Sequence, residues 1–308
     1  MARIIFMGTP EFAVPTLSRL IADGHDIVVV TQPDRPAGRG RTLEAPPVKR
    51  VALQHNLPVL QPESVNTPEV AAYLADIRPD VGVVAAFGQL LGRRILSIPQ
   101  RGYLNVHASL LPRHRGASPI AAAILAGDQE TGVTIMLIDE GLDTGPILAQ
   151  AACPIDPAET AASLERKLAT LGADLLSTTL PRWLAGAIEP QPQDDSQATI
   201  AARVQKSDGR VDWNLPAEML WRMSRAYDPW PGLFTFAGDH RVNLWKVRPL
   251  VDWRGDELPG EIITDYDEEL VVATGRGALI LEEVQLAGKK RISGRDFRRG
   301  QRDLWLFN

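Results

Sequence analysis

The chain has 308 residues, a net charge of −5 and a single cysteine, Cys153. That length suits two domains with sizeable cores, and one cysteine excludes both a disulfide framework and a thiolate zinc site. The acidic balance offers no general argument for a nucleic-acid partner, so such a partner has to be read from local charge.

The opening Met1-Ala-Arg-Ile-Ile-Phe-Met-Gly carries an apolar run too short for a secretory h-region. No stretch approaches the roughly 18 apolar residues of a membrane span. A soluble, cytoplasmic protein without membrane contact is expected.

Ala2 to Met7 reads as a buried strand ending at Gly8. Thr9-Pro10-Glu11 then reads as N-cap, first helical residue and first-turn acid of a helix reaching Asp23. Ile27 to Thr31 is the next strand, Thr67-Pro68-Glu69 opens another helix, and Val81 to Ala86 is a third strand. Tyr103 to His107 and Gly132 to Ile138 follow as strands. Asp156-Pro-Ala-Glu159 has the form of a capping box before a long helix toward Trp183. Strands alternating with helices predict an α/β fold, a Rossmann-like doubly wound parallel sheet, over residues 1–188.

The texture changes after Ala187. Glu189-Pro-Gln-Pro-Gln-Asp-Asp-Ser-Gln is polar and proline-bearing, and 189–208 is expected to be a linker. In 209–308 a helix from about Pro216 to Tyr227 precedes short alternating runs at Leu233, Arg241 to Val247, Gly260 to Ile263, Leu270 to Ala273 and Ala278 to Val284. That pattern predicts a smaller C-terminal β-barrel, OB-like in type.

Gly8-Thr-Pro-Glu-Phe is not a dinucleotide fingerprint, because proline and phenylalanine stand where glycines must admit a pyrophosphate. Gly38-Arg39-Gly40-Arg41 lacks the Gly-Lys-Ser/Thr ending of a phosphate loop. The informative segment is Tyr103-Leu-Asn-Val-His-Ala-Ser-Leu-Leu-Pro-Arg-His-Arg-Gly-Ala. Asn105 and His107 are two apart on a strand and so share a face. An amide beside an imidazole can bind a carbonyl oxygen and the anion it becomes. Alone, the pair leaves open whether His107 is simply a satisfied core residue.

Asp139-Glu-Gly-Leu-Asp-Thr-Gly follows the apolar run Val133 to Ile138, with Gly141 and Gly145 marking a tight loop around Asp143. Such a loop reads either as a plain turn or as a carboxylate set at the C-terminal end of a neighbouring strand. In the second case it would fix the histidine tautomer, raise its proton affinity and take up a proton.

Together these segments resemble the formyltetrahydrofolate-dependent formyltransferases. The resemblance rests on Asn-x-His before Ser-Leu-Leu-Pro and on Asp-Thr-Gly further along. It implies Asn105, His107 and Asp143 as the catalytic group. It implies a folate site from Ser109, Leu110, Leu111 and Pro112, together with Phe87, Gly88, Gln89, Leu90, Leu91 and Asp139. Over essentially its whole length the chain is similar to the members that act on methionyl-tRNA, through Phe6-Met-Gly-Thr-Pro-Glu-Phe-Ala, Gln32-Pro-Asp-Arg-Pro-Ala-Gly-Arg-Gly, Pro112-Arg-His-Arg-Gly-Ala, Asp228-Pro-Trp-Pro-Gly and Gly288-Lys-Lys. In those members a basic loop after the second strand and the C-terminal domain contact tRNA. The resemblance therefore implies Arg39, Arg41, Lys49, Lys206, Lys289, Lys290 and Arg291 as tRNA contacts. Two positions depart from the pattern: Gly92 stands where proline is usual, and His114 where tryptophan is common.

The implied reaction moves the formyl group of 10-formyltetrahydrofolate, a co-substrate, to the free amine of methionyl initiator tRNA. Asn105 and a protonated His107 hold the oxyanion, and Asp143 keeps His107 charged and removes the amine proton. A monomer is expected. No metal is expected, since His25, His55 and His240 have no second ligand at metal spacing. The alternatives are the same chemistry on a small amine, such as a ribonucleotide or amino sugar, and an RNA-binding module with a relic catalytic domain. The tryptophans, Trp213, Trp221, Trp230 and Trp245 among them, are expected in cores or domain contacts.

Overall fold

The computed structural model describes residues 1–37, 42–264, 266, 269–300 and 306–308. In chain order it begins with β1 (Arg3–Gly8), α1 (Val14–Ala22), β2 (Asp26–Val30), β3 (Arg35–Ala37), β4 (Thr42–Glu44), α2 (Pro47–Gln54) and β5 (Val59–Leu60). Next come α3 (Pro68–Asp76), β6 (Val81–Ala85), α4 (Arg93–Leu96), β7 (Tyr103–His107), β8 (Arg115–Gly116) and α5 (Pro119–Ala126). Then follow β9 (Glu130–Leu137), β10 (Ile147–Pro154), α6 (Ala161–Leu184) and β11 (Ile200–Ala201). Two compact units result. The first holds Met1–Pro119, Glu130–Pro154 and Glu165–Ala201, and the second holds Ile120–Gln129, Ile155–Leu164 and Ala202–Asn308. Residues 189–201, read from sequence as linker, belong to the first unit.

The first unit is built on a seven-stranded sheet in the order β10-β9-β7-β6-β1-β2-β5. The five strands from β7 to β5 are mutually parallel, as the helix–strand alternation predicts. The other two make the sheet mixed. β9 runs antiparallel to β7, with Leu104 opposite Leu137 and His107 opposite Thr134. The C-terminal end of β9 therefore lies beside the start of β7. The Asp143 loop does leave the C-terminal end of a neighbouring strand, but that strand runs against the parallel sheet read from the sequence, because strand direction leaves no mark on an apolar run. β10, also antiparallel to β9, had no signal in the sequence reading.

Burial on both faces is why β1 and β6 read as continuous apolar runs. Ile4, Ile5, Phe6 and Met7 are all fully buried, and each such side chain is worth about 1.5–3 kcal/mol of transfer free energy. Ile5, Met7, Val30 and Val84 pack with Ala71 and Leu74 of α3 and Ile95 of α4. On the other face, a Cβ on Gly172 of α6 would meet Val106 and Val133 at 2.6 and 3.3 Å, so this helix lies directly on the strands. Arg19 of α1 bonds Asp174 and Ser177 of α6 at 3.1 and 3.0 Å, which sets α1 beside it.

Local signals were met unevenly. Thr67 caps α3, its Oγ1 accepting from the Val70 N–H at 3.3 Å. The Asp156 N–H donates to Glu159 Oε2 at 2.8 Å ahead of α6. Thr9 is not a cap: a short 3-10 turn follows Pro10 without a side-chain cap, and Thr9 Oγ1 donates to the Phe87 carbonyl at 3.0 Å. It thereby ties the segment after β1 to the one after β6.

The second unit carries α7 (Ala217–Ala226), β12 (Leu233–Ala237), β13 (His240–Leu250), β14 (Ile262–Ile263), β15 (Val271–Ala273), β16 (Ala278–Leu286), β17 (Ile292–Ser293) and α8 (Gly294–Gly300). Its strands pair antiparallel in the order β12-β13-β16-β15-β14, with β17 on β16, a sheet of half-barrel form. Ile263, Val271, Ala273, Ala278 and Ile280 form its core beside Leu250, Trp253 and Tyr266. Trp213 is buried and donates to Thr235 Oγ1 at 3.0 Å. Trp230 and Trp245 are exposed by 57% and 36%, against the expectation of cores or domain contacts. Among the described residues no helix is long and apolar enough to cross a membrane.

Candidate active site

Val106 faces α6, so the two-residue period of β7 turns Asn105 and His107 toward the opposite face. The loop between β9 and β10 folds back over that face. Its base is closed by the Ile138 N–H on the Tyr103 carbonyl and the Leu137 N–H on the Pro146 carbonyl, at 2.8 and 2.9 Å. Asp139 Oδ1 ties the turn by accepting from the Gly141 N–H and from Thr144 Oγ1 at 3.0 and 2.7 Å. The result brings the Asp143 carboxylate against both β7 side chains. Its Oδ1 lies 3.5 Å from Asn105 Nδ2 and its Oδ2 lies 3.6 Å from His107 Nδ1. The Gly116 N–H donates to the same Oδ2 at 2.8 Å.

His107 is buried, with its Nε2 3.0 Å from the His114 carbonyl oxygen. A carbonyl only accepts, so Nε2 carries a proton, and Nδ1 is the ring atom left to face the carboxylate. Burial pulls the proton affinity of His107 below its ordinary value, while the Asp143 carboxylate and the His114 carbonyl push the other way. Burial thus opposes the protonated imidazole of the sequence reading, and the Asp143 carboxylate favours it.

The segment after β7 supplies the remaining support. Ser109 Oγ donates to the Arg113 carbonyl at 2.6 Å and closes the turn before His114. His114 is buried at φ 58°, a region where histidine is among the better-tolerated residues. Its N–H donates to Thr199 Oγ1 at 2.8 Å. Gly116 has φ 119°, and a Cβ there would stand 2.6 Å from the Ala201 carbonyl oxygen, so only glycine lets β8 pair with β11.

Family models for formyl transferase and for the formyl transferase C-terminal domain match residues 2–180 and 203–302. A methionyl-tRNA formyltransferase of Chloroflexus aurantiacus is 52% identical over 294 residues, covering 95% of this chain and 94% of the relative. One from Methylococcus capsulatus is 49% identical over 296 residues, covering 96% of each. The chain belongs to the methionyl-tRNA formyltransferase family. It is a formyltransferase, of a folate-dependent family. The N-formyltransferase of Helicobacter canadensis, solved with folinic acid and dTDP-3-aminofucose, has a TM-score of 0.69 at 19% identity and covers 91% of this chain and 99% of its own. That likeness speaks for the fold alone.

The residues expected at the folate surround the site unequally. Phe87 is buried and its carbonyl accepts from Thr9 Oγ1 and Gln32 Nε2 at 3.0 and 3.3 Å. Gly88 follows at φ 85°. Gln89 is spent on structure, its Oε1 accepting from the Val65 N–H at 2.7 Å. Leu90 is 82% exposed, whereas Leu91 packs on the core. Ser109 and Leu111 are buried, Leu110 and Pro112 half-buried, and Asp139 exposed. The Leu111 N–H donates to Thr134 Oγ1 at 3.1 Å. At Gly92, where the resemblance led one to expect proline, the N–H donates to Asn66 Oδ1 at 2.7 Å, a bond proline lacks.

Of the expected tRNA contacts, Arg39 and Arg41 lie outside the described residues. Lys49 is held by both Asp34 oxygens at 2.9 and 2.7 Å. Lys206 is exposed in a 3-10 turn of the second unit. Lys289, Lys290 and Arg291 are exposed in the turn between β16 and β17. The Arg291 guanidinium lies 3.4 Å over the Trp245 ring, a cation–π contact. Among the described residues no three His, Cys, Asp or Glu side chains are grouped to hold a metal ion. The sequence reading missed Arg115, Gln193, Asp195 and Thr199, all within or opposite the stretch taken for linker. Their signal was slight: three polar side chains capable of fixing backbone groups, set among prolines.

Proposed function

We propose that Asn105, His107 and Asp143 transfer the formyl group of 10-formyltetrahydrofolate to the free amine of methionyl initiator tRNA. The observation that carries this reading is the placing of Asp143 within 3.5 and 3.6 Å of Asn105 Nδ2 and His107 Nδ1, on one face at the end of β7. The methionyl amine attacks the formyl carbon. Asn105 Nδ2 and the protonated Nδ1 of His107 present N–H groups to the developing oxyanion. Asp143 takes the proton that the attacking amine sheds. The C–N bond to the folate then breaks, and Asp143 returns that proton to the leaving folate nitrogen, so charge and atoms balance.

The backbone N–H of Gly116 donates to Asp143 Oδ2 and holds the carboxylate aimed between attacks. The folate is read onto Phe87–Leu91, Ser109–Pro112 and the Asp139 turn. Lys206, Lys289, Lys290 and Arg291 are read as phosphate contacts, with Arg39, Arg41 and Lys49 added by resemblance. The reading takes the enzyme to be a cytoplasmic monomer. Its test is incubation with 10-formyltetrahydrofolate and charged initiator tRNA, elongator tRNA or amino-sugar nucleotides, followed by mass spectrometry. Formyl-methionine on initiator tRNA alone supports it, and formylation of the small amines alone overturns it.

A further inference from the structure

We propose that Gln193 is a positioning residue for Asp143, with Arg115 as its brace. The proposal rests on the catalytic reading of Asp143. Because β9 runs opposite to β7, the loop carrying Asp143 must fold back across the sheet, away from the direction in which its strand delivers it. Asp143 itself sits at φ 53°, a region uncommon outside glycine that aspartate enters more readily than most residues.

Gln193 holds that loop in place. Its Nε2 donates to the carbonyls of both Asp143 and Gly145, at 2.8 and 2.7 Å. Its Oε1 accepts from Arg115 Nε and Nη2 at 3.0 and 2.8 Å. Arg115 is buried and also donates to Asp195 Oδ1 at 2.7 Å. The backbone bearing Gln193 is pinned on one side by the reciprocal Ile147–Gln191 bonds of 2.8 and 2.9 Å, and on the other by β11 pairing with β8.

These bonds close a circuit. The Asp143 carboxylate accepts from Gly116; the neighbouring Arg115 grips Gln193; and Gln193 returns to the Asp143 carbonyl. The loop backbone and the carboxylate are thereby referred to one short segment, 115–116. An amide suits the position because it offers two N–H donors for two carbonyls and an oxygen for the guanidinium. Glutamate keeps the oxygen for Arg115 but has no donor for the carbonyls when ionised.

The test is steady-state kinetics of Gln193→Met and Gln193→Glu, with thermal melts, and of each change combined with Asp143→Ala. Both single variants are expected to lower kcat by about 10- to 100-fold, the cost of a misplaced reacting group. KM for both substrates is expected to move by less than about twofold, since no substrate contact is lost. Gln193→Glu preserves the pairing with Arg115, so it folds even where the methionine variant does not. Wild-type kcat in Gln193→Glu means the residue merely anchors its segment to Arg115, and overturns the proposal. In the Asp143→Ala background, Gln193→Glu is expected to have little further effect; a full multiplicative loss there means Gln193 acts apart from Asp143 and overturns it too. Near-wild-type turnover of Asp143→Ala alone overturns the catalytic reading underneath, whereas an inactive Asp143→Ala with an intact Gln193→Glu overturns only the positioning role.

Discussion

His107 gives the proton on its Nε2 to the carbonyl of His114 at 3.0 Å, and so turns Nδ1, and only Nδ1, toward Asp143. The backbone of the residue after the Leu-Leu-Pro-Arg turn thus chooses the tautomer, while burial and the carboxylate opposite pull its charge in opposite directions. Titration of this histidine is therefore a direct probe of the site.

Burial holds the folded-state affinity of His107 below the ordinary imidazole value, which is about 6.5. Between that value and the folded one, the unfolded chain binds more protons, so stability falls as pH falls through this window and then levels off. Site-resolved NMR should find its midpoint below the ordinary value. Asp143→Asn, which removes the carboxylate that pushes upward, should move the midpoint further down. A midpoint above the ordinary value would contradict burial as the dominant influence.

Asn105 sets its side-chain amide nitrogen 3.5 Å from the Asp143 carboxylate. Asn105→Ala should lower kcat by about 100- to 1,000-fold, as loss of one oxyanion donor does elsewhere. Asp143→Asn should cost at least as much, because it keeps the shape and the Gly116 bond but cannot accept a proton. Single-turnover formylation of charged tRNA measures both, and rates within a few fold of wild type remove these residues from the chemistry.

Gly116 combines φ 119° with a backbone oxygen 2.6 Å from where a Cβ would stand. Gly116→Ala should therefore destabilise the protein by about 1–3 kcal/mol, the usual range for such backbone strain. Urea denaturation measures that cost. The same change displaces the N–H that holds Asp143, so kcat should fall by more than the melting temperature alone would imply.

Lys289 and Lys290 are exposed in the turn between β16 and β17, beside the Arg291–Trp245 stack. If they neutralise phosphates, the double change to alanine should lower the salt slope of tRNA binding by about 0.7 to 0.9 per lost contact. It should raise KM for tRNA and leave kcat at saturation almost unchanged. Identical slopes across a salt series for wild type and variant would mean that these lysines only solvate the turn.

Much of this arrangement was legible in the sequence. The period of two in Tyr103–His107 put Asn105 and His107 on one face, and the paired glycines around Asp143 marked a tight loop. What stayed hidden has common physical causes. An apolar run such as Val133–Ile138 is the same whichever way its strand points, so the reversal of β9 was invisible. Segment 189–201 is held by side-chain-to-backbone bonds from Gln193 and Thr199 rather than by burial of an apolar face, and such bonds leave no periodicity to detect. Lys49 was read by resemblance as a tRNA contact, and its pairing with Asp34 leaves no sequence signal because the two are 15 residues apart.

The late position of that segment also has a consequence for synthesis. Domains fold as they emerge, N-terminal parts first, and β1 through β10 are all translated before Gln193. Until then the carbonyls of Asp143 and Gly145 and the guanidinium of Arg115 lack the amide that joins them, and β8 has no partner strand. A nascent chain thus passes through a stage with its sheet complete and its reacting carboxylate still unfastened. That carboxylate is fastened only when the stretch ending at Ala201 leaves the ribosome, with most of the second unit still to be made.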